Sequence, residues 1–140
     1  MPKLIYVDTN IYIDFFEDRI DNLRLLGEIA RQLFDRALDC EFTLVVSSLV
    51  NEEIKDNGYK TQFIDFLADF KKYNKVIYTE LSEEDKRSAN ELKRFRKTPF
   101  KDTCHLILAQ RLHAEVLVTR NVKDYVNISD IIPVLLPEFI

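Results

Sequence analysis

The stretch Ile5-Tyr6-Val7-Asp8-Thr9 decides how the chain is expected to fold, because an apolar run ends in it at a carboxylate. Strands of a parallel sheet are buried on both faces and therefore appear in a sequence as continuous apolar runs. A charged residue at the carboxyl end of such a strand lies where open α/β sheets bind their ligands. Aspartate is also a favoured helix cap, so this stretch alone leaves both interpretations of Asp8 open.

Further short apolar runs follow, and helical patterns separate them. The runs are Phe42–Val46, Val76–Tyr78, Glu115–Thr119 and Ile132–Leu136, and the predicted helices cover about residues 10–17, 23–39, 48–57, 60–73, 82–97 and 101–113. Short strands that alternate with helices predict an α/β protein with a mostly parallel sheet of about five strands, covered by helices on both faces. Pro133 restricts the last strand to an edge of the sheet or to its own first residues.

Length and composition limit the protein class. We expect the 140 residues to form a single domain, residues 1–140, and the 46% hydrophobic content is sufficient for a core. The formal net charge of −4 argues against a surface that coats nucleic acid throughout, but it leaves room for a local basic patch. With no signal peptide and no apolar run of ~20 residues, we expect a cytoplasmic protein without a membrane segment.

The residues that other classes of functional site require are missing from this sequence or unsuitably spaced. With only two glycines, the chain has neither of the glycine-rich loops that bind phosphate in dinucleotide-binding and P-loop proteins. Cys40 and Cys104 form no Cys-x-x-Cys motif, and we interpret them as buried thiols in a reducing compartment. His105 and His113 have no suitably spaced cysteine, so we interpret both as core or helix-surface histidines rather than zinc ligands.

A second acid lies on the helix that follows the second strand. Leu49, Val50 and Ile54 define its apolar face, and Glu53 falls within that face because it is four residues from Leu49 and three from Val50. Glu52 points away to the side. An ionised glutamate on a core-facing stripe is costly unless it is paired or bound to a metal, so Glu53 predicts either an ion pair with a lysine or arginine or a metal ligand.

Two more acids are candidates for the same edge of the sheet. Asp102 lies in the first turn of the most apolar helix, where the helix dipole alone would stabilise it, but its face continues along the buried stripe. Asp124 lies in the loop after the strand that ends at Thr119, and taken alone it is an ordinary solvated acid.

Taken together, these acids indicate a metal site. Strands one and four end at the same edge of a parallel sheet, and the helices that carry Glu53 and Asp102 begin there. Carboxylates that converge repel one another unless a cation neutralises them. Hard divalent ions such as Mg²⁺ bind through carboxylates and accept phosphate oxygens. We therefore expect Asp8, Glu53, Asp102 and Asp124 to converge at a site that a hard divalent ion such as Mg²⁺ would neutralise.

The acids belong to four short motifs that occur in order along nearly the whole chain. The motifs are Val7-Asp8-Thr9-Asn10, Ser47-Ser48-Leu49-Val50-Asn51-Glu52-Glu53-Ile54, Lys101-Asp102, and Val118-Thr119-Arg120-Asn121 with Lys123-Asp124-Tyr125. In this combination the sequence resembles the PIN-domain ribonucleases, which include the VapC-type toxins of bacterial and archaeal toxin–antitoxin pairs.

The resemblance implies a three-layer α/β/α sandwich and an endoribonuclease that depends on Mg²⁺ or Mn²⁺. It implies metal binding by Asp8, Glu53 and Asp102, a cognate antitoxin and a homodimer. Many members of the family carry an acid where this chain has Asn121. Either Asp124 takes the fourth place, or Asn121 contributes an amide oxygen or a water contact.

Hydroxyl and basic side chains complete the expected site. Thr9, Ser48 and Thr119 could orient carboxylates or water, although each is equally well explained as a cap or turn residue. A basic stretch comes directly before Asp102, where it could contact RNA phosphates, or it could be an ordinary solvated helix face. The expected RNA-binding residues are Lys93, Arg94, Arg96, Lys97, Lys101 and Arg120.

Two other functions compete with this one. A phosphatase of the haloacid-dehalogenase type needs a second aspartate two residues after the first, and this chain has Asn10 there. A PIN-like module that binds proteins without catalysis is consistent with Asn121, whereas the three remaining acids argue against it.

Overall fold

The computed structural model describes residues 3–140. In chain order its elements are β1 (Lys3–Val7), α1 (Thr9–Glu17), β2 (Ile20–Asp21), β3 (Arg24–Leu25), α2 (Leu26–Leu38), β4 (Phe42–Ser47), α3 (Ser48–Asp56), α4 (Lys60–Lys72), β5 (Val76–Thr79), α5 (Glu83–Arg96), α6 (Phe100–Arg111), β6 (Val116–Val118), a 3-10 helix (Val122–Ile128), β7 (Val134–Leu135) and a second 3-10 helix (Pro137–Phe139).

The main sheet has the strand order β5-β4-β1-β6-β7, and all its neighbouring strands are parallel. The helices flank it in the predicted α/β/α arrangement. The apolar runs explain the order, since Ile5, Tyr6 and Val7 of the central strand are fully buried and every residue of β4 is buried. β7 lies at an edge, directly after Pro133, as predicted.

Aromatic side chains join the helices on one face of the sheet. Tyr12 of α1 stacks on Phe34 of α2 and meets Phe63 of α4 edge-on, with ring centroids 5.2 and 5.0 Å apart. Phe66 contacts Phe34 in the same way at 4.8 Å. Such contacts add to the burial of large apolar surfaces, and they fix α1 above the sheet so that its first residue lies at the end of β1.

The segment between α1 and α2 differs from the prediction. Leu23 was expected to begin a helix, but it lies in the turn of a small β2–β3 hairpin, with a φ of 69° and 95% of its surface exposed. The helix begins instead at Leu26. Gly27 allows the start of α2 to lie against the end of α1, since a Cβ on Gly27 would lie 2.5 Å from the Cα of Asp18.

Two predictions of burial were wrong. The spacing of Ala89, Leu92 and Phe95 predicts that all three face inward, but Phe95 is 84% exposed. Each step of three residues falls about 60° short of a full helical turn, so Phe95 lies about 120° around α5 from the buried Ala89. Cys40 is exposed in the turn after α2, whereas Cys104 is buried as expected. Within residues 3–140, no helix is both long enough and apolar enough to cross a membrane.

Candidate metal centre

Asp8 follows β1 directly and caps α1. Its Oδ1 accepts a hydrogen bond from the backbone N–H of Thr9 at 2.7 Å, and its own N–H donates to the carbonyl of Val118 at 2.8 Å. Both interpretations offered by the sequence therefore apply, since the residue caps a helix and also lies at the carboxyl end of the central strand.

Uncharged groups hold the second oxygen of this buried carboxylate. The hydroxyls of Thr119 and Tyr125 donate to Asp8 Oδ2 at 2.9 and 3.0 Å. Among residues 3–140, no lysine or arginine forms an ion pair with Asp8, although only 6% of the residue is exposed. A buried acid normally has a cationic partner, and among the described residues the candidate for Asp8 is His105, whose Nε2 lies 3.6 Å from Asp8 Oδ1.

Glu53 faces the same site from α3. Ser47 caps this helix by accepting from the N–H of Val50, and the resulting register turns Glu53 toward Asp8 and leaves Glu52 exposed, as the helical spacing predicted. Glu53 Oε1 accepts from the hydroxyl of Thr9 and contacts His105 Nε2, both at 2.7 Å. The ion pair with lysine or arginine that we considered is not formed among residues 3–140.

His105 is the residue at this site that the sequence interpretation missed. It is a buried core histidine, as one alternative held, but its Nε2 lies 2.7 Å from Glu53 Oε1 and 3.6 Å from Asp8 Oδ1. Asp8, Glu53 and His105 each have one potential ligand atom within 4.8 Å of the other two. These three residues could therefore hold a metal ion. The available signal was its position one helical turn after Asp102.

Asp102 lies in the first turn of α6, half-buried beside the other acids. Burial raises the pKa of Asp102 to about 6, and the negative charge of Asp8 adds to this increase, whereas His105 opposes it. Burial also raises the pKa of Glu53, but the hydrogen bond and charge of His105 outweigh it and hold that pKa below its ordinary value. Asp102 is therefore the acid that most lacks a counter-charge.

The acids line one open cleft of about 290 Å³. Its walls are formed by Asp8, Thr9, Asn10, Ile13, Glu53, Asp56, Asn57, Lys101, Asp102, His105 and Asn121. Asn121 thus lines the cleft, whereas Asp124 is exposed and lies outside the lining. The charge of Asp124 nevertheless contributes to the raised pKa of Asp102, so its assignment as fourth ligand stays a prediction.

The hydroxyl residues divide into two groups. Thr9 and Thr119 contact the acids directly, and Thr119 also accepts from Asn10 and from the N–H of Asn121. Ser48 instead accepts from the N–H of Leu81 at 2.8 Å and makes no hydrogen bond to an acid among the described residues.

The basic residues also divide. Lys93, Arg94 and Lys97 are exposed near the end of α5, and Lys101 lines the cleft. Two arginines are already paired. Arg96 contacts Asp130 at 2.8 Å, and Arg120 Nε donates to the buried Asp14 at 2.9 Å.

Solved structures with the same arrangement of strands and helices are known. A toxin–antitoxin complex from Klebsiella pneumoniae is 24% identical, with a TM-score of 0.63, and the match covers 95% of this chain and 97% of that one. The PIN domain endonuclease Utp24 is 15% identical, with a TM-score of 0.55 and coverage of 95% and 84%. This chain has the PIN-domain fold. The sarcin-ricin loop cleaving toxin VapC20 of Mycobacterium tuberculosis shares that fold at 14% identity, with a TM-score of 0.55 and coverage of 81% and 86%.

The similarity is visible in the folded structure rather than in the sequence. No protein-family model matches this sequence, and no curated protein matches it. The PIN fold is therefore assigned from the strand order and from the TM-scores of these structural neighbours.

Proposed function

We propose that this protein is a divalent-metal-dependent endoribonuclease that hydrolyses RNA phosphodiester bonds. One observation carries the proposal: Asp8, Glu53 and Asp102 come from three separate elements and line one cleft, and none of them forms an ion pair with a lysine or arginine of residues 3–140. A fold gains no stability from such an arrangement, whereas a bound cation would neutralise it.

The donor set suits Mg²⁺ or Mn²⁺. Carboxylate oxygens are the ligands that these hard ions use, and an open cleft leaves room for water and phosphate oxygens. The raised pKa of Asp102, caused by burial and then by the charge of Asp8, indicates a site with a net lack of positive charge. Asp8, Glu53 and Asp102 would hold the ion, with Asn121 or Asp124 beside it.

A bound ion would lower the pKa of a water molecule and neutralise charge that develops on the phosphate. The residues of the chain prepare the site for this. Thr119 and Tyr125 hold Asp8 from behind, and Thr9 and His105 both contact Glu53 Oε1. These contacts use Oε1 of Glu53, and no side chain of residues 3–140 donates a hydrogen bond to its Oε2.

The RNA would approach along the end of α5. Lys93, Arg94 and Lys97 are exposed, and Lys101 lines the cleft, so these cations are available to phosphate groups. Phosphate contacts of this kind attract a nucleic acid even to a protein whose net charge is negative. Arg96 and Arg120 would contribute less to RNA binding, because each already forms an ion pair with an aspartate.

We further propose that the protein is a cytoplasmic toxin that forms a homodimer and binds a cognate antitoxin. Support for the antitoxin comes from the Klebsiella pneumoniae neighbour, which was solved as a toxin–antitoxin complex. An antitoxin would explain how a cell tolerates an open nuclease cleft.

The decisive experiment incubates the purified protein with mixed RNAs in Mg²⁺ or Mn²⁺, beside chelator and beside the Asp8→Asn variant. We expect cleavage with either ion and none with chelator or with the variant. Cleavage that persists in chelator would exclude the metal mechanism. Intact RNA together with hydrolysis of small phosphomonoesters would indicate a phosphatase, and no hydrolysis with capture of a tight protein partner would favour the binding module that Asn121 suggests.

A further inference from the structure

A row of buried polar side chains begins at His105, which lines the cleft, and continues into the core through Tyr6 and Ser47. Ser47 Oγ lies 2.7 Å from Tyr6 Oη, which lies 2.7 Å from His105 Nδ1. The opposite ring nitrogen, Nε2, lies 2.7 Å from Glu53 Oε1. Ser47, Tyr6 and His105 are each at most 1% exposed, so their hydrogen atoms have few alternative partners.

The partners of Nε2 determine where a proton must be. Nε2 faces the carboxylates of Glu53 and, at 3.6 Å, Asp8, and ionised carboxylates only accept hydrogen bonds. A lone pair on Nε2 would point at negative charge, so Nε2 carries hydrogen and donates it to Glu53. This conclusion is the same whether the ring is neutral or cationic.

The residues behind the ring agree with this direction. When the ring is neutral, the hydroxyl of Tyr6 can donate to Nδ1, and the hydroxyl of Ser47 can donate to Tyr6 while its oxygen accepts from the N–H of Val50. Every donor then has an acceptor in the order Ser47, Tyr6, His105, Glu53. In the neutral ring, the hydrogen bond that Nδ1 accepts from Tyr6 thereby determines that Nε2 carries the hydrogen.

We propose that His105 is a positioning residue, which holds the Glu53 carboxylate toward the cleft through its Nε2–H and does not bind the metal, and that Tyr6 and Ser47 fix the ring for this task. The inference rests on the proposed metal-dependent nuclease and adds a role to that site. The opposite assignment makes His105 a third ligand beside Asp8 and Glu53, which their proximity permits. A ligand nitrogen must lose its hydrogen, so the two assignments differ in one observable atom.

Nuclear magnetic resonance of the ring nitrogens tests this difference directly. The chain has only two histidines, and the exposed His113 can be removed by His113→Gln to assign the signals. We expect hydrogen on His105 Nε2 in the metal-free protein and, unchanged, at saturating Mg²⁺. Loss of that hydrogen on Mg²⁺ binding, or a metal-free ring with hydrogen on Nδ1 alone, would overturn the inference.

Variants add an independent test. Glutamine can place an N–H near the position of Nε2, so His105→Gln should keep Mg²⁺ affinity in calorimetry close to the wild-type value. His105→Leu should weaken it about 10- to 100-fold, the range typical of lost supporting contacts to ligands. Tyr6→Phe, which leaves the ring in place, should cause a smaller loss, and His113→Gln should cause none.

Thermal unfolding of each variant separates a folding defect from a local one. If His105→Gln loses as much affinity as His105→Leu while both remain folded, positioning by Nε2–H is wrong. If the wild-type protein retains hydrogen on Nε2 but binds no Mg²⁺, the proposed function fails and the role of His105 in holding Glu53 stands.

Discussion

Two helices of this protein have an aspartate at the same position of their first turn, and the two aspartates have different roles. Asp85 and Asp102 are each the third residue of their helix, α5 and α6, which pack against each other. An acid in the first turn is favoured by the helix dipole in both cases. The difference lies in what surrounds each carboxylate.

Asp85 is fully satisfied. It accepts from the N–H of Ser82 in a capping box and from Arg111 Nε and Nη2, both at 2.9 Å. Burial raises the pKa of Asp85, but Arg111 and Ser82 outweigh it and hold the pKa below the ordinary value. This aspartate contributes to stability.

Asp102 has no such partners among the residues that the structure describes. The residue that precedes its helix is Pro99, which has no N–H for the carboxylate to cap. Within residues 3–140, no arginine or lysine forms an ion pair with Asp102, and its pKa rises to about 6, first through burial and then through Asp8. Asp102 is therefore repelled by the charge of Asp8 at the place where we propose that a cation binds.

The largest expected effect separates two neighbouring acids of α3. Glu53→Gln removes a charge from the cleft, and we expect cleavage of RNA to fall by more than about 100-fold, because several kcal/mol of transition-state stabilisation depend on the bound metal. Glu52→Gln is the matched control, since Glu52 is exposed and points away. Initial rates at saturating Mg²⁺ measure both, and equal losses would contradict the assignment of Glu53.

A smaller effect, on stability, is expected from Asp85→Ala. The variant loses the capping box and leaves Arg111 unpaired, so the free energy of unfolding should fall by about 2 kcal/mol, discounted for the partly exposed arginine. The folded pKa is lowered, so the ionic part of this contribution is present above pH 3.8 and is lost as the pH falls through the folded pKa. Urea unfolding at pH 7 and at low pH measures it, and unchanged stability would mean that Asp85 is not structural.

Asp102→Asn should act in the opposite direction. In the metal-free protein we expect an increase of about 1–2 kcal/mol in the free energy of unfolding at pH 7. Because the pKa of Asp102 is raised, the folded chain keeps the proton of this carboxyl up to about pH 6, whereas the unfolded chain keeps it only up to about pH 3.8. The stability of the wild-type protein therefore falls as the pH rises across that range. Urea unfolding at pH 4 and pH 7 tests this, and saturating Mg²⁺ should reduce or reverse the difference.

The smallest effect tests the proline itself. Pro99→Ser restores an N–H and a hydroxyl before α6, so Asp102 can cap its own helix as Asp85 does. We expect a gain of about 0.5–1 kcal/mol in stability and a severalfold loss of cleavage, since the carboxylate turns away from the cleft. Carboxyl carbon shifts in nuclear magnetic resonance follow the accompanying decrease in the pKa of Asp102. An unchanged pKa would show that the missing cap does not matter.

The sequence carried most of the information about the sheet and the acids. Continuous apolar runs marked the buried strands, and the common edge at their carboxyl ends located Asp8. Helical spacing distinguished Glu53 from Glu52, because only one face of α3 is apolar. These predictions succeeded because each depends on a local period or on a general rule of parallel sheets.

Features that depend on distant partners were not predictable in this way. His105 contacts Glu53 across 52 positions of sequence, and Tyr6 looked like an ordinary core residue of a strand. Ser48 was expected beside the acids, but its neighbour Ser47 joins the buried row, since a shift of one residue at a strand end changes the side on which a side chain lies. The β2–β3 hairpin was missed because Leu23 fits a helical period as well as a turn.

The central position of β1 has a consequence for synthesis. Asp8 leaves the ribosome before its supporting hydroxyls, which belong to Thr119 and Tyr125, more than a hundred positions later. A growing chain that has not yet emerged to Tyr125 cannot complete this end of the cleft. The fold thereby couples any activity of the acids to synthesis of the chain as far as Tyr125.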